Sequence, residues 1–147
     1  MSIQAAYAAV GIFSEVNFAT ANTARDGTGT IAVLVTSRPP GTRIERVRVR
    51  AAGTTTAGVI RIFKLGNGIT FAAPDASGGY VISSFSAGTL RLIHEILVTA
   101  IMPSATIASW TDEWAPTNGI TLGPYERLGI STHNAETFNA FAIGGHL

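Results

Sequence analysis

The stretch GTRIERVRVRAAGTTTAGVIRIFKL, residues 41–65, decides the fold class of this chain. In the second half of residues 43–52, apolar residues alternate with arginines, which is the period-two pattern of a strand that buries one face. The apolar side comprises Val47, Val49 and Ala51, and the opposite side comprises Arg46, Arg48 and Arg50. Small, turn-forming residues at 53–58 then lead into the apolar run 59–65. We therefore expect residues 43–52 and 59–65 to pair as a hairpin, with Arg61 adding charge to the arginine side.

Similar runs of β-branched and aromatic residues, separated by Gly, Pro, Asn and Thr, occur along the rest of the chain. They occupy residues 28–37, 90–101, 105–114, 120–122, 125–133 and 137–145. About eight strands with a turn roughly every ten residues predict an all-β, single-domain, jelly-roll-like β-sandwich over residues 28–147. Residues 1–27 are predicted to form an extended N-terminal arm. The Gly-rich residues 66–88 are predicted to form a long exposed loop with a short strand at YVISSF, residues 80–85.

The composition indicates a protein whose surface is partly covered by other subunits. Only 13% of the 147 residues are charged and 46% are hydrophobic, so much of the exterior has to be apolar or small. Such a surface favours self-association, and we therefore expect a homo-oligomer. The net charge of +1 gives no indication of nucleic-acid binding, and the absence of cysteine excludes disulfides and thiolate metal sites.

Membrane and export signals are absent from the sequence pattern. No stretch has the roughly eighteen consecutive apolar residues that cross a bilayer. The apolar stretch MSIQAAYAAVGIF, residues 1–13, lacks the basic residues of a signal peptide. We therefore expect a protein that is made in the cytoplasm and has no membrane partner.

The segment STHNAETFN, residues 131–139, places a hydroxyl, an imidazole and a carboxylate close together in sequence. Ser131 and His133 share a strand face but lie about 7 Å apart along the strand, and no nucleophile-elbow motif surrounds Ser131. Asn134 and Glu136 instead suit a tight turn whose amides they can bond. We therefore expect a structural corner, no catalytic residue and no enzymatic activity.

The three histidines, His94, His133 and His146, lack the spacing of metal ligands. A cupin-type metal site uses a close His-x-His pair, and neither this motif nor His-x-x-x-His occurs. His94 shares its strand parity with Leu92 and Ile96, which indicates partial burial. We expect no metal, no cofactor and no small-molecule substrate.

The arginine side of residues 43–52 has two interpretations of equal weight. It is either a solvated face that acidic residues on neighbouring strands neutralise, or a patch that docks onto an acidic partner surface. The acidic residues available for neutralisation are Glu45, Glu95, Asp112 and Glu113. Nucleic acid is a weaker possibility, because no base-stacking aromatics are interleaved with the arginines.

Trp110, Trp114 and Tyr125 allow two further interpretations. Trp110 and Trp114 share one side of a predicted strand, which is compatible with a flat carbohydrate-stacking platform. Tryptophan is more often a core residue or an anchor at a subunit interface. We favour the core or interface interpretation.

Four blocks of the sequence are similar to a family of small, head-associated virion proteins of tailed bacteriophages. These blocks are DGTGTIAVLVT, GTRIERVRVRAAGTTTAGVIRIF, RLIHEILVTAIMPSATIASW and GISTHNAETFNAFAIGGHL, and in this order they span most of residues 26–145. The resemblance implies a non-enzymatic capsid decoration, or cement, protein. Such a protein binds the major capsid protein on the exterior of the virion and stabilises subunit junctions, often as a trimer.

Within this interpretation, the apolar anchors of the arm are expected to be Tyr7, Ile12 and Phe13. The polar docking face is expected to comprise Arg46, Arg48 and Arg50. The alternative is a glycan- or receptor-binding module of a head or tail fibre, with residues 66–88 and the two tryptophans as its recognition surface. A small cupin-like metalloenzyme is a third and weaker hypothesis.

Overall fold

The computed structural model describes residues 10–74, 80–84 and 89–147, and every regular element in these ranges is a β-strand. The strands are β1 (Val10–Phe18), β2 (Thr30–Thr36), β3 (Thr42–Ala51), β4 (Gly58–Leu65), β5 (Thr70–Pro74), β6 (Tyr80–Ser84), β7 (Leu90–Val98), β8 (Thr111–Trp114), β9 (Ile120–Leu122), β10 (Arg127–Thr132) and β11 (Phe138–His146). This confirms the predicted all-β class. The described residues contain no helix long and apolar enough to cross a membrane.

Two antiparallel sheets pack face to face as a β-sandwich. Sheet A has the order β1-β11-β3-β8, with β9 also paired to β3, and sheet B has the order β5-β6-β2-β10-β4-β7. Their facing sides form one apolar core, since fully buried residues of both sheets belong to a single cluster. Its members include Ile44, Val47 and Val49 from sheet A and Ile60, Ile62 and Ile130 from sheet B.

The predicted pairing of residues 43–52 with residues 59–65 is wrong, because β3 lies in sheet A and β4 in sheet B. The burial patterns give the physical reason. Strand β3 alternates buried and exposed residues, whereas β4 is buried on both faces over Ile60–Phe63. A strand that is apolar on both faces needs a sheet covered on both sides, and sheet B provides this cover. Arg61 therefore lies far from the arginine side of β3 and does not add to its charge.

The predicted arm is also wrong for residues 10–18, because these residues form the edge strand β1 of sheet A. Strand β1 pairs with β11 from Val10 opposite His146 to Phe18 opposite Phe138. Its inward side chains, including those of Ile12 and Phe18, contact the core, and these residues alternate with polar or exposed ones as in any half-buried strand. Tyr7 lies outside the described residues.

Residues 19–29, which we call the strap, cross the outer face of sheet B. Ala21 forms a parallel bridge with Thr132, and the backbone N–H of Asn22 donates to the Thr132 carbonyl at 2.7 Å. The Asn22 amide also donates to the carbonyls of Thr28 and Thr30, which closes the strap into a compact loop. Gly27, with a φ of 86°, packs against the side chain of Leu90, where a Cβ would collide.

A second, smaller core lies on this same outer face of sheet B. It is formed by the buried residues Ile31, Phe63, Leu65 and Ile69, with Phe71, Leu90 and Leu92 packed against them. Residues 66–74 thus cover the sheet rather than extend into solvent, and β5 pairs with β6, which in turn pairs with β2. The predicted short strand near residues 80–85 is confirmed, and residues 75–79 and 85–88 of the predicted loop lie outside the described ranges.

The predicted strand at residues 105–114 is shorter than expected, because only Thr111–Trp114 is extended. Ser104 donates its backbone N–H to the Ile107 carbonyl at 3.0 Å, so the segment begins with a turn. Trp110 then returns to the core, and its carbonyl accepts the Ala51 N–H at 2.9 Å.

Candidate partner-binding face

The outer face of sheet A combines an arginine column with an exposed apolar patch, and we call it the arginine face. It comprises Phe13, Arg46, Arg48, Arg50, Phe141 and Ile143. The strand register aligns these residues in rows across β1, β11 and β3. In one row, Phe13 lies opposite Ile143, and Ile143 lies opposite Arg46.

The arginine column follows directly from the alternation in β3. Val47 and Val49 are fully buried on the core side, so the residues between them project outward. The side chains of Arg46 and Arg48 are 46% and 58% exposed. The predicted separation of valines and arginines onto opposite faces is confirmed.

A single carboxylate of the neighbouring strand serves two of these arginines. Arg48 contacts the Glu113 carboxylate through Nη2 at 3.0 Å and donates to it from Nε at 3.1 Å. Arg46 Nη1 lies 3.9 Å from the other oxygen of Glu113. Arg50 has no ion pair among the described residues. The face therefore keeps a surplus of positive charge, and an exposed pair of this kind stabilises by only about 0–1 kcal/mol.

Two other acidic residues proposed as neutralising partners, Glu95 and Asp112, do not serve this face in the described residues. Glu95 lies on sheet B and pairs with Arg25 and Arg61. Asp112 lies opposite Val49 and so does not share the arginine side of its strand pair. The solvated-face interpretation is thus met only in part, by Glu113.

The apolar half of the face lies beside the arginine column. Phe13 is 65% exposed, and its ring centroid lies 5.5 Å from that of Phe141 with the planes tilted by 34°. An open groove of about 500 Å³ runs from these rings toward Arg48 and Arg50. Large exposed aromatic rings beside arginines are typical of binding surfaces.

The structure brings together some of the predicted contact residues and separates others. Phe13 and the three arginines share one surface. Ile12, also predicted as an apolar anchor, lies on the opposite side of β1 and packs against the core, so it is not part of this surface. Phe141 and Ile143 were missed, because after Phe138 it is the small Ala140 and Ala142 that are buried in β11, while Phe141 and Ile143 face outward.

The segment around Ser131, His133 and Glu136 is a structural corner, as predicted. Glu136 Oε1 accepts hydrogen bonds from the Thr56 N–H at 2.8 Å and the Thr56 hydroxyl at 2.5 Å. Asn134 Nδ2 donates to Thr56 Oγ1 at 2.8 Å. These bonds fasten the 52–57 crossover between the two sheets.

No hydrogen bond joins Ser131, His133 and Glu136 to one another within the described part of the chain. Ser131 Oγ, His133 Nδ1 and Glu136 Oε2 are buried and have no partner among the described residues. A serine nucleophile requires a base in hydrogen-bond contact and a third group that orients this base. The arrangement does not provide that relay.

The three histidines occupy separate environments. His94 stacks on Trp114 with ring centroids 4.4 Å apart and planes within 6°, and burial lowers the pKa of this imidazole while Asp112 and Glu95 act in the opposite direction. His146 Nδ1 lies 2.7 Å from Thr42 Oγ1. Across residues 10–74, 80–84 and 89–147, no three His, Asp or Glu side chains form a group that could hold a metal ion.

The tryptophans do not form a shared platform. Trp110 is buried and meets Phe138 edge-on at 5.9 Å, which confirms the core interpretation for this residue. Trp114 is half-buried against His94, and Tyr125, with a φ of 62°, lies in an exposed turn. A carbohydrate ring has no access to the buried face of Trp110.

No known protein family, curated protein sequence or solved structure matches this chain. The arginine face is the surface on which an aromatic pair with one exposed ring, that of Phe13, lies beside a column of cations. Its geometry is therefore the basis for the function proposed below.

Proposed function

We propose that this protein is a non-enzymatic structural protein of a phage virion that binds the outer capsid surface and stabilises subunit junctions. The observation that carries the proposal is the arginine face, where the exposed Phe13 and the half-buried Phe141 lie beside three arginines, two of which share one carboxylate. The resemblance of the sequence blocks to head-associated phage proteins supports the same assignment.

We also infer that the sandwich is a jelly roll. Four antiparallel pairs are nested along the chain, namely β1 with β11, β2 with β10, β3 with β8 and β4 with β7. Successive pairs alternate between sheet A and sheet B. This is the pattern of one long hairpin rolled into two layers, with β5, β6 and β9 as additions. Jelly rolls serve in viral capsid proteins, lectins and cupins, so the fold admits the proposal without selecting it.

The proposed partner is the major capsid protein, and the proposed state of this protein is a homotrimer on the virion exterior. A decoration protein requires only modest affinity at each contact, because many symmetry-related copies bind one shell and a trimer engages several sites at once. The low charge of the chain, 13% of residues, agrees with subunit contacts on other surfaces. Native mass spectrometry of the purified protein tests the trimer, and a monomer at micromolar concentration contradicts it.

The capsid proposal is tested by co-sedimentation with shells assembled from the major capsid protein encoded in the same genome. The double variant Phe13→Ser, Arg48→Gln is expected to lose most of its binding while keeping its fold. Arg38→Gln, which removes the same charge from the turn between β2 and β3, is the matched control and is expected to bind normally. Full occupancy by the double variant contradicts the proposal.

Cryo-electron microscopy of virions tests the location directly. Density for this fold at a symmetric position on the outer shell, with sheet A turned toward the capsid, is the expected result. Density confined to the tail or a fibre favours a receptor-binding role instead. Deletion of residues 1–9 tests Tyr7 as an additional contact, whereas a longer deletion that enters residues 10–18 removes β1 from sheet A and so impairs folding itself.

A further inference from the structure

We propose that the arginine face binds an extended acidic segment of its partner, in which carboxylate side chains alternate with apolar ones. The inference rests on the proposed function and specifies the chemistry of the surface that the face meets. It is carried by three observations, which are the spacing of the arginines, the shared carboxylate of Glu113 and the apolar groove beside them.

The spacing of the arginines matches that of an extended peptide. Arg46, Arg48 and Arg50 occupy every second position of β3, so they repeat at about 6.7 Å along the strand. Every second side chain of an extended partner segment repeats at the same distance. Carboxylates at alternate positions of such a segment can therefore meet the three arginines one to one.

The charges leave room for partner carboxylates. Glu113 divides its two oxygens between Arg48 and Arg46, at 3.0 and 3.9 Å, while Arg50 has no ion pair among the described residues. Arginine forms its strongest contacts when a carboxylate engages the guanidinium fork bidentately. A partner carboxylate can form an ion pair with Arg50 directly, and further carboxylates can compete with Glu113 for Arg46 and Arg48.

The apolar groove accommodates the remaining side chains of the segment. It is lined by Phe13, Phe141 and Ile143 on one side and by Arg48 and Arg50 on the other. A segment that lies edge-on along this groove directs its acidic side chains toward the arginines and its apolar side chains toward the two rings, because successive side chains of an extended segment point in opposite directions. The exposed Phe13 ring then becomes buried, which strengthens the flanking ion pairs because water is excluded from them.

Nucleic acid and a second copy of this chain fit the face less well. Glu15 lies opposite Phe141 in the strand register, and Glu113 lies opposite Arg48, so a carboxylate borders the face on each side. A phosphate backbone is charged at every residue and brings charge to both carboxylates, whereas an alternating segment directs only apolar side chains toward the side of Phe141 and Glu15. This chain has no two acidic residues spaced two positions apart. It therefore does not contain the alternating acidic segment that the face requires.

The experiment measures the binding of two fluorescein-labelled peptides of about ten residues by fluorescence anisotropy. In one peptide Glu and Val alternate, and in the other the same residues are arranged with all Glu before all Val. We expect the alternating peptide to bind at least about fivefold more tightly, because only its carboxylates repeat with the arginines. Equal affinities, or tighter binding of an oligothymidylate of similar length, overturn the inference.

Variants of the full chain sharpen the test. Glu113→Gln removes the competing carboxylate and is expected to tighten binding of the alternating peptide by about threefold, whereas Arg48→Gln weakens it by about fivefold. Arg38→Gln is the charge-matched control and is expected to leave the affinity unchanged. Weaker binding after Glu113→Gln contradicts the competition on which the inference depends.

The inference and the proposed function fail separately. If capsid shells bind the wild-type protein but not Arg48→Gln, and the two peptides bind equally, the capsid function is retained and the alternating acidic segment is overturned. If the alternating peptide binds more tightly but the protein does not bind shells, the recognition of an alternating acidic segment is retained and the capsid is overturned as the partner.

Discussion

The two outer faces of the sandwich contain the same types of residue and use them in opposite ways. On sheet B, Phe63 is fully buried and Arg61 is 6% exposed, because the strap and residues 66–74 cover this face. On sheet A, Phe13 is 65% exposed and Arg48 is exposed as well. The comparison shows that the role of a phenylalanine or an arginine is set by the segment that covers it and not by its strand pattern alone.

The covered face pairs its buried arginine with both a carboxylate and a backbone carbonyl, whereas Arg50 on the open face has no ion pair among the described residues. Arg61 Nε lies 3.0 Å from Glu95 Oε1, and Arg61 Nη1 donates to the Asn22 carbonyl at 3.3 Å. Arg25 of the strap reaches the other oxygen of Glu95 at 2.7 Å. Two arginines thus hold one carboxylate and fasten the strap to the sheet, which is a structural use of the same chemistry that the open face presents to solvent.

The largest expected difference between the faces is in the phenylalanines. Phe63→Ala removes a fully buried ring from the second core and is expected to lower the free energy of unfolding by about 3–5 kcal/mol. Phe13→Ala removes an exposed ring that touches Phe141 and is expected to lower it by less than about 1 kcal/mol. Urea unfolding of both variants measures the difference. Equal losses of stability would show that the open face is covered in solution.

The arginines are expected to show the next largest difference. Arg61→Ala leaves the Asn22 carbonyl without its donor and empties a packed position. We expect it to lower the free energy of unfolding by about 2–3 kcal/mol. Arg48→Ala removes one exposed pair with Glu113, for a loss of about 0.5 kcal/mol or less. The same urea titrations provide the measurement. An Arg48→Ala loss as large as that of Arg61→Ala contradicts the assignment of the open face to binding.

Acid is expected to release the strap from the covered face. The hydrogen bond from Arg25, assisted by Arg61, holds the pKa of the Glu95 carboxyl below its ordinary value of 4.5. Because the folded pKa is depressed, this stabilisation is present above about pH 4.5 and is lost as the pH falls through the folded value. Thermal melting between pH 6 and pH 3 measures this loss as a fall in Tm. In Glu95→Gln, Tm is expected to depend less on pH over the same range. An unchanged profile in Glu95→Gln contradicts the role of this carboxylate.

The smallest effect is expected at the seam between the two sheets, where His94 of β7 stacks on Trp114 of β8. Burial lowers the pKa of His94 below 6.5, so its neutral form contributes stability that is complete above pH 6.5 and is lost as the pH falls through the folded pKa. A protonated imidazole quenches the fluorescence of a stacked indole, so the Trp114 emission should fall over the same range. His94→Phe should abolish this change, while Trp110→Phe should preserve it.

The sequence predicted most strands of the fold, because their residues carry period-two patterns that need no knowledge of the partner strand. Strands β2, β3, β10 and β11 lie within a few residues of their predicted bounds. The hairpin between β3 and β4 was predicted wrongly, since proximity in sequence was the only available guide to pairing. The two-sided burial of β4 was the pattern that distinguished it from β3.

The candidate site was predicted in part for a similar reason. The outward arginines follow from β3 alone, whereas the direction of Phe141 depends on the sheet that β11 joins. In β11 the small Ala140 and Ala142 are fully buried, against the usual preference for large apolar residues in the core. Residues 10–18 alternate between buried or half-buried and exposed residues, as β3 does, although they were assigned to the predicted arm.

The nested order of strands has a consequence for how the chain reaches its native state. Strand β1 pairs with β11 and β2 with β10, so most ladders join segments far apart in the chain. Such high contact order places the domain among slow folders, on a scale of roughly milliseconds to seconds, which stopped-flow refolding measures. During synthesis, β4, which is buried on both faces in the native fold, remains without its neighbour β10 until that strand has been made. The new chain is therefore exposed to aggregation until the late strands emerge, and chaperone protection during that interval would raise the yield of folded protein.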